Sequence, residues 1–145
     1  MADVKFSEFT AATEFSTGDY IVGLQSGANV KFPHDVIKPY KSWVGILTQQ
    51  ATDAPTAIVL QNELGGTIVF TRVSTGSYRA TLSSAFTADK TVVLPGTQLI
   101  FNGATFDNAF FNINSTSQIV IATQRDHVST DGLMTSLAVE IRVYY

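Results

Sequence analysis

Residues 67–82, TIVFTRVSTGSYRATL, hold two short runs separated by Ser74-Thr75-Gly76. In the first run Ile68, Phe70 and Arg72 fall on one side of an extended chain, and Val69, Thr71 and Val73 on the other. A repeat of two is the side-chain period of a β-strand. Ser, Thr and Gly between the runs supply turn chemistry, so the stretch reads as two strands joined by a turn.

The same pattern continues outward in both directions. Apolar or alternating runs stand at 43–48, 56–62, 91–94, 97–101, 108–113, 118–124 and 136–144. Between them lie turn-forming groups such as Asp53-Ala54-Pro55, Gly65-Gly66, Pro95-Gly96, Asn102-Gly103 and Asp131-Gly132. The fold class is therefore all-β, and about eight or nine strands at this spacing predict a β-sandwich or jelly-roll-like knob over residues 43–145. In the last run Leu137, Val139, Ile141, Val143 and Tyr145 define one apolar face against Glu140, Arg142 and Tyr144, which places the C-terminal strand inside the fold.

Residues 1–42 have a different texture, with nine charged residues against twelve in all that follows. Here Tyr20–Gln25 reads as a strand, Ser26-Gly27-Ala28-Asn29 as a turn and Val30–Phe32 as the return strand. Pro33 suits the first turn of a short helix that Pro39 stops, and the unit ends at Tyr40. A hairpin plus one helical turn cannot bury enough apolar area to be stable alone, so this module needs a partner. The expected organisation is an anchor at 1–42 and a knob at 43–145.

Composition narrows the function. The 145 residues are 45% apolar and 14% charged, with a net charge of −3. The nine Lys and Arg are scattered, leaving no footprint for nucleic acid. Cysteine is absent, so neither disulfides nor thiolate metal sites are available. The opening MADVKFSEFTAATEF has acidic residues and no long apolar run, which argues against a signal peptide or a membrane span and for synthesis in a cytoplasm.

Catalysis needs a nucleophile beside a base or a pair of carboxylates across a cleft, and the chain offers only His34 and His127 as bases near neutrality. The expectation is that the protein is not an enzyme and carries no cofactor. Asp126, His127 and Asp131 approach metal-ligand spacing, but a polar loop explains them better. The Asn114-Ser115-Thr116 sequon reads as an ordinary strand end. Asn108, Asn112 and Asn114 share one face with Phe110, which is either a solvated polar face or, in a homotrimer, an interface paired through amides. Trp43, at the junction between the two textures, joins these as a candidate subunit-interface residue.

The segment Phe6-Ser7-Glu8-Phe9, then Gly18-Asp19-Tyr20-Ile21-Val22-Gly23 and Gly27-Ala28-Asn29-Val30-Lys31, ending Ile37-Lys38-Pro39-Tyr40, resembles the N-terminal modules of bacteriophage virion fibre and appendage proteins. The stretches Gln50–Ala57, Leu64–Arg72 and Gly76–Tyr78 are similar to small β-domains of phage structural proteins. The resemblance implies a homotrimeric head fibre or decoration protein of the virion, or a tail fibre. Its N-terminal segment would bind a capsid or tail protein and its β-domain would project outward. The attachment residues it implies are Phe6, Phe9, Tyr20, Ile21, Val22, Gly27, Asn29, Val30, Ile37 and Tyr40. A competing expectation is a carbohydrate-binding β-sandwich that engages a host-surface glycan through exposed aromatic and Asn side chains.

Overall fold

The computed structural model describes residues 20–33, 38–96 and 106–145. Among the described residues are eleven strands in three antiparallel sheets and no helix. The expected helical turn after Pro33 and the expected strand at 97–101 fall outside the described residues. The chain divides between Pro39 and Tyr40, three residues before the break in composition. Tyr40, Lys41 and Ser42 belong to the second unit because they pair in register with Tyr144, Val143 and Arg142.

In the first unit, β1 (Tyr20–Gln25) pairs with β2 (Ala28–Pro33). Ser26 and Gly27 join them with φ of 52° and 82°. Two positive φ values in succession are what a tight two-residue hairpin turn requires. The sequence suggested a turn reaching Asn29, but Ala28 and Asn29 are already paired with Gln25 and Leu24. The register sets Ile21 opposite Phe32 and Gly23 opposite Val30, so Ile21, Val30 and Phe32 share one face. No described side chain of this hairpin is fully buried.

The second unit contains β3 (Tyr40–Thr48), β4 (Thr56–Asn62), β5 (Val69–Ser74), β6 (Ser77–Thr81), β7 (Thr91–Pro95), β8 (Asp107–Ser115), β9 (Gln118–Arg125), β10 (Val128–Ser129) and β11 (Leu137–Tyr144). One sheet has the order β4-β3-β11-β7. The other is centred on β9, which β8 flanks along its length. On its opposite side β6 pairs with residues 118–122 of β9, and β10 with 124–125. The two-residue β10 escaped the sequence reading, since its hairpin turn is Asp126-His127, with φ of 49° and 67° and no glycine.

Side chains from both sheets form one buried cluster. Trp43, Leu47, Leu137, Val139 and Ile141 come from the four-stranded sheet, and Tyr78, Ala80, Ile119 and Ile121 from the other. The alternation expected in β11 is present through Ile141, but Tyr145 lies beyond the strand and is exposed. Trp43 is 1% exposed and its ring lies 5.9 Å from that of Phe70, centroid to centroid. Its place as an interface residue is therefore corrected: the indole is used inside the subunit and presents nothing to a neighbour. Between Val44 and Gly45 the pairing with β4 shifts, and Leu60 is the extra residue of a bulge.

Gly45 leaves no room for a side chain in this core. Added there, a Cβ would overlap the Trp43 ring, with Cζ2 only 2.8 Å away. Gly45→Ala forces that ring off its seat, and overpacking of this kind costs about 1–3 kcal/mol. The expected outcome is a melting temperature lower by about 4–8 °C per kcal/mol, read by circular dichroism.

Candidate functional site

The segment joining β10 to β11 binds to both sheets. Asp131 accepts from Arg72 Nη2 at 2.7 Å and Arg72 Nε at 3.2 Å, from the Gly76 amide at 2.9 Å and from the Tyr78 hydroxyl at 2.6 Å. Gly132 N–H donates to Gln49 Oε1 at the end of β3, and Gln49 N–H donates to the Met134 carbonyl at 2.8 Å. The Gln49 amide nitrogen in turn donates to the carbonyls of Ala51 and Asp53, at 2.5 and 3.1 Å, fixing the loop to β4. Gly76, at φ 63°, has no room for a side chain, since a Cβ would meet Thr123 O at 2.5 Å and Thr130 N at 2.6 Å.

This arrangement disposes of the local reading in which Asp131 pairs with Asp126 and His127 as metal ligands. Both Asp131 oxygens are engaged by the β5–β6 hairpin, and Asp126 Oδ1 accepts the Phe106 amide at 2.8 Å. Among the described residues no group of three or more His, Asp or Glu side chains is placed to hold a metal ion. Nor is any helix among them long and apolar enough to cross a membrane. His34 lies outside the described residues.

The exposed faces of the two sheets differ in chemistry. On the β9 sheet, Asn108, Phe110, Asn112 and Asn114 stand on the exposed side of β8, as their spacing indicated. Phe110 is 52% exposed, and Asn114 Nδ2 donates to Gln118 Oε1 at 3.0 Å. The neighbouring positions in register are Gln124, Ala122, Val120, Gln118, Ser77, Arg79, Thr81, Thr71 and Val69, a mixed surface in which polar side chains outnumber apolar ones. On the four-stranded sheet the register brings together Ile46 with Ile58 and Ala138, and Val44 with Glu140 and Leu94. Arg142 stands beside Val92 and Ser42, and Tyr144 beside Tyr40. Ile58, Val92 and Leu94 are 64%, 42% and 40% exposed. Within this apolar field Arg142 donates to both Glu140 oxygens, at 2.7 and 3.0 Å, and its guanidinium lies 4.8 Å from the Tyr40 ring centroid. Glu140, as its first partner, holds the Arg142 pKa above its ordinary range.

The expected attachment residues are scattered. Phe6, Phe9 and Ile37 lie outside the described residues, and Tyr20 begins β1. Ile21 and Val30 share the apolar hairpin face, Val22 points to the opposite one, and Gly27 and Asn29 are exposed at the turn. Tyr40 is corrected to the second unit, its ring centroid 5.1 Å from that of Tyr144. An open cleft of about 330 Å³ lies at one end of β11, lined by Lys41, Lys90, Ser84, Thr87, Val143 and Tyr145 among others. It went unseen in the sequence because Lys41 and Lys90 are far apart there. No protein-family model matches the chain, and neither a curated protein nor a solved structure does.

The Asp131 cluster makes stability depend on pH at both ends of the range. Burial, then donation to Asp131, pushes the Tyr78 hydroxyl from 10.0 up to about 12. A raised pKa in the fold means that this contribution is complete below about pH 10 and is lost as pH rises toward about 12. The Arg72 hydrogen bond, with those of Tyr78 and Gly76, holds Asp131 well below its ordinary 3.8, so its contribution is present above about pH 4 and is lost on acidification. Tyr78→Phe is expected to cost about 1.5–3 kcal/mol at neutral pH. The variant should also lose the alkaline fall in stability and keep the acid one, as denaturant titrations across the pH range would show.

Proposed function

We propose that this protein is a structural component of a bacteriophage virion: a homotrimeric, capsid-attached head fibre or decoration protein whose β-domain, a two-layer sandwich, projects outward. The observation that carries the reading is the first unit's hairpin. It presents an apolar face of Ile21, Val30 and Phe32, which are half-buried, and none of its described side chains is fully buried. Isolated two-stranded hairpins are marginal in water, so such a face favours docking onto another protein. The second unit, in contrast, has a core shared between its two sheets. A tail-associated position uses the same hairpin in the same way and differs only in which protein receives it.

The test is co-purification. Tagged full-length chain, produced during growth of the phage that encodes it, should band with gradient-purified particles. The double variant Ile21→Asp, Val30→Asp should be lost from them while the melting curve of the β-domain is unchanged. Absence of the wild-type chain from particles, or undiminished incorporation of the variant, would overturn the reading.

A second reading, host-surface glycan binding, is favoured by the cleft at Lys41 and Lys90. Two ammonium groups, the Ser84 and Thr87 hydroxyls and a tyrosine ring suit a carboxylate-bearing saccharide better than a neutral one. Calorimetric titration with acidic and neutral oligosaccharides should show binding of the acidic one only, weakened by Lys90→Ala. Equal binding by that variant, or none by the wild type, would remove it.

A further inference from the structure

We infer that the exposed face of the four-stranded sheet is the contact surface between copies of this chain, an inference that rests on the assembly reading above and names the surface it uses. Three observations bear on it. First, β3 reads WVGIL from Trp43 to Leu47, with apolar side chains on both sides. That is the pattern of a strand covered on both faces, whereas a sheet with one face in water alternates cleanly. Among the described residues the side of Trp43 and Leu47 is covered, and Val44 and Ile46 remain half-exposed. Second, the field continues laterally across the register through Ile58 and Ala138 and, on the far side of Glu140 and Arg142, through Leu94 and Val92.

Third, the charge inside the field selects the occupant. Its centre holds one carboxylate and one guanidinium two residues apart on β11, already paired at 2.7 Å. The pair is thus neutral and complementary to itself; Glu63, accepting from Ser42 Oγ at 3.2 Å, adds one more carboxylate on the Arg142 side. In a ring of three, each copy's Arg142 comes near the Glu140 of the next, without stranding either charge in an apolar contact. An acidic or a basic partner would neutralise one of these groups and leave the other uncompensated.

The test uses the full-length protein, its mass measured by light scattering over a dilution series. The wild type should associate, and Val92→Asp with Leu94→Asp should weaken association about 100-fold or more, since two apolar contacts become buried charges. Both positions are exposed in the single chain, and an unchanged circular dichroism spectrum will report that the variant folds. Glu140→Arg alone should weaken association, and Glu140→Arg with Arg142→Glu should restore it, a rescue that mere surface polarity would not give. Asn112→Asp on the opposite sheet should have no effect. A wild type that stays monomeric throughout, or an oligomer indifferent to the β7 variant, would overturn the inference. A dimer dissolved by the β7 variant would uphold this face and overturn the trimer, while the particle experiment with the hairpin variant reads attachment separately.

Discussion

The carboxylate of Asp131 is the interaction on which most of the second unit depends. Its oxygens gather a guanidinium, a backbone amide and a phenol from β5, β6 and the turn between them. The next residue, Gly132, donates to Gln49 from the other sheet. A half-buried carboxylate with four donors aimed at it keeps its place only while those partners are arranged, so the connection from β10 to β11 has little freedom. Met134, fully buried three residues on, extends the same fixation into the core. A chain without cysteine thereby obtains a cross-link between its sheets from hydrogen bonds alone.

Much of the strand layout could be read from alternation and turn residues, because both are local properties. The runs at 56–62, 77–82 and 118–124 correspond closely to β4, β6 and β9. The hairpin at Ser26-Gly27 was legible for the same reason. What could not be read depends on partners distant in sequence. Asp131 looked like a neighbour of Asp126 and His127, whereas its true partner Arg72 is 59 positions away. Alternation says which residues share a side, but not which side meets the core. Trp43 was misplaced for that reason. Its seat is set by Gly45 two residues on and by Phe70 from the other sheet.

The two exposed sheet faces illustrate the same limit from the functional side. The Asn-rich face of β8 attracts notice in the sequence because its pattern is regular within one strand. The apolar face is assembled from four strands, and no single one displays it. Only the register that sets Leu94 beside Glu140, and Glu140 beside Val44, makes it a surface. The Lys41 and Lys90 cleft likewise exists only after β11 has come between β3 and β7.

The extra residue Leu60 in β4 has a consequence for how molecules meet edge to edge. β4 ends its sheet, and a regular ladder there would invite the corresponding strand of another molecule, then another, without any natural stopping point. The bulge breaks the spacing of amides and carbonyls halfway along the strand, so that such propagation fails after a few residues. Molecules at high concentration therefore resist running on from this edge into fibrils.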